Sequence, residues 1–447
     1  MTQKDALEIL KTGKNVFLTG PAGSGKTYLL AQYIDYLKKN KVKVAITAST
    51  GLAATHLNGR TIHSWCGMRI EEKMDKRQIN NLKNDDELSS RVISAQVLII
   101  DEISMLNANR LDLVNNICQA LRQDLRPFGG LQIVLCGDFF QLPPVARGRE
   151  DGRFVVESAS WSNMDLNICY LNEQYRQEDK NFLEILNAIR KNAIDENILN
   201  TLNERLNQPI QSIIKATKLH SHNKDVDLEN TYELNQLNGD KRIYEMSSRG
   251  ISGLIKSLKT NCLAPEELSL KKDAVVMFIK NNFSKGYANG TLGKVLDFDE
   301  DSGFPIIEIL SGRKIIAGPE NWLIEEGSEI LASISQIPLR LAWAITVHKS
   351  QGMSLDCAEI DLSNTFEFGM GYVALSRVRT LKGIKLLGIN DKALQVNQKA
   401  IDLDEVLFKE SKRCLKDYKK LSAKRIKKEQ EEFIKNAGKN KFFGRDL

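Results

Sequence analysis

Lys26 and Thr27 close the run Gly20-Pro21-Ala22-Gly23-Ser24-Gly25-Lys26-Thr27, which sets an ammonium and a hydroxyl at the end of a glycine-rich loop. A loop of that spacing curls backbone N–H groups around phosphate oxygens at a helix N-terminus, where the helix dipole also favours anions. Lys26 would reach the β and γ phosphates, and the Thr27 hydroxyl would hold Mg²⁺. Asp101-Glu102 is a second chemical pair: Asp101 can share that Mg²⁺, and Glu102 is suited to orient or deprotonate an attacking water. Gln141 is a neutral group able to touch both a γ-phosphate and that water. Arg176 and Arg377 are cations that a second domain could bring to charge developing on a transferred phosphoryl group.

These side chains need a sheet to hold them. Val16-Phe17-Leu18-Thr19 is a short apolar run ahead of the loop, and the helical apolar pattern of residues 28–34 follows it. Further strands are expected at 42–47, 97–100 and 133–137. The run Val97-Leu98-Ile99-Ile100 is apolar without alternation, as in a parallel strand covered on both faces. Strands alternating with helices predict a doubly wound parallel sheet, with ligands at the carboxyl ends of its strands. Asp101-Glu102 falls at such an end. A second α/β unit is expected from about Gln177, with strands around 213–219, 342–347 and 384–387 and no phosphate loop of its own. Short strands at 274–279, 306–310 and 313–316, broken by glycine turns such as Asn289-Gly290, predict a small antiparallel barrel inserted in it. The polar stretch 71–91 reads as another small insertion.

Composition excludes several classes. Of 447 residues, 42% are hydrophobic and 27% charged, as in ordinary globular chains, and no apolar stretch is long enough to cross a bilayer. The first residues resemble neither a signal nor a transit peptide. Seven scattered Cys without a CxxC pair argue for a reducing compartment and against structural zinc, and the five His form no metal-type cluster. His220 and His222 read as polar surface. The net charge of +6 is local: residues 409–447 hold 14 Lys/Arg against 6 Asp/Glu, which leaves residues 1–408 near −2. That C-terminal stretch reads either as salt-sensitive attraction for phosphates or as a solvated helix of alternating charge.

Taken in order, several segments resemble superfamily 1 helicases, and specifically the petite-integration-frequency (PIF) family of DNA helicases. They are Gln3, residues 20–27, Thr47–Ala54 with Gly59–Ser64, and Ile100–Leu106. Then come Pro127-Phe128-Gly129-Gly130 running into Gly137–Val145, Ala344–Asp356 and Tyr372–Arg379. Residues 113–130 resemble that family's own signature. The resemblance covers roughly residues 1–390. It implies two RecA-like domains clamping one ATP, each with an insertion: 1–59 and 93–176 as domain 1A, 60–92 as 1B, 177–274 and 336–408 as 2A, and an SH3-like 2B at 275–335. A basic tail, 409–447, follows.

The resemblance also implies residue roles. Gln3 would read adenine, and Gly20, Gly23, Ser24, Gly25 and Gly352 would line the nucleotide. Arg176 and Arg377 match arginine fingers. Thr50, Thr61, His63 and Pro143 would grip a DNA strand from the first domain, and Thr346, His348 and Lys349 from the second. Hydroxyls and loop-end N–H groups suit sequence-independent phosphate contact, and Trp65, Phe139 and Phe283 could offer base stacking or simply fill the core. The implied activity is 5′→3′ translocation on single-stranded DNA, with unwinding of duplexes, forks, RNA–DNA hybrids and G-quadruplexes, driven by ATP and Mg²⁺. The implied partners are single strands and their junctions with duplex, met by a monomer able to pair on DNA. The chain resembles the minimal bacterial motor, for which a cytoplasmic, nucleoid-associated location is expected. A RecD-like helicase, or an ATPase that displaces proteins without separating strands, would share the core motifs.

Overall fold

A computed structural model describes residues 1–68, 73–143, 153–177, 179–210, 214–220, 226–282, 284–326 and 329–439. Six strands form the first sheet: β1 (Val16–Thr19), β2 (Val44–Ala48), β3 (Arg60–Thr61), β4 (Val97–Asp101), β5 (Gln132–Cys136) and β6 (Asn167–Tyr170). Their order is β3-β2-β4-β5-β1-β6 and every pairing is parallel. Strands β1, β4 and β5 are buried throughout, because helices cover both faces. Alternate residues divide between two cores: Phe17, Leu98 and Leu135 face one, and Val16, Leu18, Val97, Ile99 and Val134 face the other. The non-alternating apolar runs are therefore the signature of a sheet clad on both sides.

A second, four-stranded parallel sheet runs in the order Ala344–Thr346, Thr217–His220, Ala358–Leu362, Ile384–Ile389. Between its halves lies an antiparallel sheet of five strands, with Leu292–Phe298 and Val275–Phe278 at its centre. The antiparallel part begins earlier than residue 275, where the sequence pattern puts its start. Ser247–Gly250 pairs with Glu329–Gln336, and Arg242–Glu245 pairs with Glu267–Leu270. Ser247–Gly250 carries no apolar residue and is exposed throughout, whereas Glu267–Leu270 buries only Leu268 and Leu270, too short an alternation to stand out. The insertion in the first domain also differs. Arg60–Thr61 is an edge strand of the main sheet, and short helices (Ile62–Cys66, Lys76–Asn81, Asp86–Ser94) follow it.

The basic C-terminal stretch is no free tail as far as residue 439. It continues the helix Gln398–Lys419 and forms a last helix, Ala423–Lys439. Ion pairs four residues apart, such as Arg425–Glu429 and Lys428–Glu432, line its solvent face. An apolar stripe beneath them (Phe433, Ile434, Ala437), with Cys414 of the preceding helix, joins the core shared with the N-terminal helix Gln3–Leu10 and β1. Gly13 is required there twice over: its φ is +79°, and a Cβ would collide with the Phe433 ring.

Candidate nucleotide-driven motor site

The phosphate loop joins β1 to the helix Lys26–Lys39. Gly23 and Gly25 both hold left-handed φ, of +83° and +80°. At Gly23 a Cβ would also lie 2.6 Å from the Arg176 Cβ, so the loop can run there only without a side chain. Lys26 donates to the carbonyls of Gly20 (2.8 Å) and Pro21 (3.0 Å), which holds its ammonium across the loop mouth. The Ser24 hydroxyl is buried in the loop without a protein partner. The Gln3 amide donates to the Ser24 carbonyl at 3.1 Å, which puts this N-terminal glutamine on the loop's rim.

Asp101 ends β4 and Glu102 follows it in a left-handed conformation, φ +52°. That turn directs the two neighbouring carboxylates to different tasks. Asp101 accepts from the Glu102 backbone N–H at 2.9 Å. Burial pushes both carboxyls up. Glu102, also facing the Asp101 charge, reaches about 7, while Lys26 and Arg377 pull against that rise.

A cavity of about 470 Å³ gathers Lys26, Thr27, Glu102, Gln141, Arg176, Gly352 and Arg377. The structure thus unites residues from six separate stretches of sequence around one space. Arg176 donates to the Ser376 carbonyl (3.1 Å) and Arg377 to the Val373 carbonyl (2.9 Å), so backbone bonds fix both guanidinium groups. Burial lowers the pKa of each. For Arg176 the neighbouring Arg377 adds to the effect and brings it to about 9. Two desolvated cations side by side are a strong electrostatic trap for an anion. Thr27 and Asp101 also line an adjoining cavity of about 380 Å³, and with Glu102 they supply the hard oxygen donors a Mg²⁺ ion takes.

Gln351 escapes sequence reasoning. Its amide donates to Glu102 (3.2 Å) and to Gln141 (3.3 Å), bridging the cleft from the second sheet. It falls within the stretch Ala344–Asp356, next to Gly352, yet no local pattern distinguishes it from any other glutamine.

The expected strand-gripping residues divide. Thr50, His348 and Lys349 come together around the second cavity, joined by His56, Lys280 and Trp322. Thr346 is 1% exposed, and its hydroxyl accepts from the Lys349 N–H (3.2 Å), so it shapes the turn that presents its neighbours. Thr50 and Thr61 each cap a short helix, accepting from Ala53 and Ser64. His63 and Pro143 lie outside that cavity; Pro143 instead lines an aromatic recess with Phe140, Phe366 and Phe368. Burial, then Arg110, lowers the His63 pKa to about 4. Trp65 and Phe139 are core, 3% and 8% exposed, and Phe139 packs against Phe17, Phe154 and Trp161. Phe283 and His222 fall outside the described residues.

A model of the PIF1-like helicase family matches residues 3–200, and one of the DNA helicase Pif1 2B domain matches residues 253–298. The ATP-dependent DNA helicase Pif1 of Psychrobacter sp. is 45% identical over 464 residues, covering 90% of this chain and 70% of that protein. This chain belongs to the Pif1 family of ATP-dependent DNA helicases. The Xenopus laevis Pif1 helicase, 37% identical, is matched over 91% of this chain and 64% of its own length. Bacteroides sp Pif1 in complex with ADP-AlF4 superimposes with a TM-score of 0.75 at 29% identity, over 91% of this chain and 96% of that one. Bacteroides Pif1 bound to ssDNA gives 0.59 at 31% identity, over 90% and 96%. The Pif1 2B match begins at residue 253, in keeping with antiparallel pairing that starts ahead of residue 275. The two parallel sheets carry the α/β architecture of Pif1 structures, and among the described residues no helix is long and apolar enough to cross a membrane.

Proposed function

We propose that this chain is an ATP-hydrolysing motor that moves 5′→3′ along single-stranded DNA and separates strands at duplexes and forks, with RNA–DNA hybrids and G-quadruplexes as further substrates. The observation that carries the reading is the Gln351 bridge. A group on the second sheet bonds both Glu102 and Gln141 of the first, so the hydrolytic apparatus is complete only when the two parts approach. In this reading Lys26 binds the β and γ phosphates, and Gln3 holds adenine at the rim. Thr27 and Asp101 hold a Mg²⁺ ion, which supplies charge neutralisation to the phosphates. Glu102 aligns and deprotonates water, Gln141 senses the γ-phosphate, and Arg176 and Arg377 stabilise charge on the departing phosphoryl group.

Thr50 and Thr61 with His63 on one side, and His348 with Lys349 on the other, form two grips on the strand backbone. Closing and opening of the cleft changes their spacing, and translocation follows when the grips alternate in strength. The ssDNA-bound Bacteroides relative supports this assignment of partner. The five-stranded insertion serves as an SH3-like 2B domain, and the active unit is a monomer that can pair on DNA, in the cytoplasm. Strand separation of matched duplexes with a 5′ or a 3′ single-stranded tail, with ATP and Mg²⁺, tests the reading. Unwinding of the 5′-tailed substrate alone is expected. ATP consumed on single strands without unwinding of either duplex would replace the helicase by a protein-displacing translocase.

A further inference from the structure

Arg190 is the last residue of the helix Lys180–Arg190, and it is 6% exposed. Its guanidinium has an unusual set of partners. One terminal nitrogen donates to both Asp138 carboxylate oxygens (3.0 Å each) and lies 3.1 Å from the Tyr372 hydroxyl. The other donates to the Tyr170 hydroxyl (3.2 Å) and to Asp404 of the helix Gln398–Lys419 (3.0 Å). Its flat face lies 3.9 Å from the centre of the Phe140 ring. Burial opposes the charge; Asp138, then Tyr372, Tyr170 and Asp404, outweigh it and hold the pKa well above the ordinary value.

Two of these partners, Asp138 and Tyr372, lead to working parts of the cleft. Asp138 also accepts from the Phe140 N–H (3.2 Å), and its own carbonyl accepts from the Gln141 N–H (3.0 Å), so it builds the turn that presents Gln141. Tyr372 lies on the helix Met370–Leu375, directly before Ser376 and Arg377. Its hydroxyl accepts from the Ala22 N–H of the phosphate loop at 3.1 Å. A single buried fork therefore touches the turn of Gln141, the helix leading to Arg377 and, through one hydroxyl, the phosphate loop.

We propose that Arg190 is a positioning residue that couples these three parts, so that the γ-phosphate sensor and the arginine helix reach their catalytic geometry together. A lone ion pair would serve stability only. The planar, five-donor guanidinium is needed because it must satisfy a carboxylate, two phenols and a second carboxylate from fixed directions, which a lysine cannot do. The inference rests on the ATP-hydrolysing reading of the cleft.

The test uses Arg190→Lys, which keeps a charge opposite Asp138; Tyr372→Phe, which keeps the ring and removes only the hydroxyl; and the double variant. For each, kcat and KM for ATP are measured with saturating single-stranded DNA, beside the thermal midpoint. Each single variant should lose kcat by about 10–10²-fold with the fold intact, as expected when catalytic groups are misplaced by a fraction of an ångström to an ångström. KM should stay within about threefold. The double variant should be no slower than the worse single one, because both break the same link. Losses that multiply in the double variant, an unchanged kcat, or a fall in kcat that only tracks a fall in folded protein would overturn the proposal. If Arg190→Lys does not fold, Tyr372→Phe decides alone on the same kcat and KM criterion. An unmodified chain that turns over no ATP would instead overturn the motor reading and this inference with it.

Discussion

The Gln351 amide stands 3.2 Å from the Glu102 carboxylate, across the cleft between the two parallel sheets. Glu102 is thus held from the side opposite its own strand, by a residue that belongs to the second sheet's motif. Gln351→Ala should leave nucleotide affinity nearly unchanged and lower DNA-stimulated kcat by about 10²-fold, the scale for losing one preorganised polar contact at a reacting centre. Steady-state turnover beside equilibrium binding of a fluorescent ATP analogue separates the two quantities. A loss confined to binding would remove Gln351 from the hydrolytic apparatus.

Arg377 is 1% exposed and fixed by the Val373 carbonyl and the Ser376 hydroxyl, so its guanidinium is prepaid in orientation. Arg377→Ala is expected to bind ATP and to hydrolyse it about 10³–10⁵-fold more slowly. Single-turnover hydrolysis checks this, and a parallel collapse of ATP binding would point to a structural role instead.

Lys349 lies half-buried in the cavity shared with Thr50 and His348. As a phosphate contact it should weaken DNA binding alike for all sequences when changed to Ala, and should reduce the slope of log affinity against log salt by about 1. Fluorescence anisotropy with two unrelated oligonucleotides at several salt concentrations reads both. An unaltered slope would take Lys349 out of the backbone grip.

His56 faces the Asn289 amide at 3.2 Å, and burial lowers its pKa from 6.5 to about 4. The unfolded chain therefore takes up this proton before the folded one does. The associated stability is fully present above pH about 6.5 and is lost as the pH falls toward about 4. Denaturant midpoints between pH 7.5 and 4.5 should decline more steeply in the unmodified chain than in His56→Gln. Parallel declines would show that His56 does not bear the proton difference.

Phe433 seats the last helix over Gly13. Phe433→Ala should cost about 1–2 kcal/mol, less than the loss of a fully buried phenylalanine because its ring is only half-buried. Chemical denaturation measures it. A cost near zero would mean that the helix is held by its ion pairs.

The parts of this machine that sequence displays are those whose physics is local. A glycine loop between an apolar strand and a helix declares itself within a dozen residues, and Asp101-Glu102 declares itself by following a strand buried on both faces. Gln351, Arg190 and Asp404 act on residues 249, 52 and 234 positions away, and nothing beside them in the chain marks the encounter. Thr346 shows what a motif does not display: its hydroxyl is taken up by its own turn, through the Lys349 N–H. Charge concealed the packing of the last helix, where lysines and glutamates dominate the composition while Phe433, Ile434 and Ala437 reach the core.

The space at Gly23 is shared with Arg176, whose Cβ would sit 2.6 Å from any Cβ placed there. Each of the two positions therefore sets the size limit of the other. An alanine in the phosphate loop would act as a lesion of the distant arginine, by shoving its backbone, before it disturbed any phosphate contact.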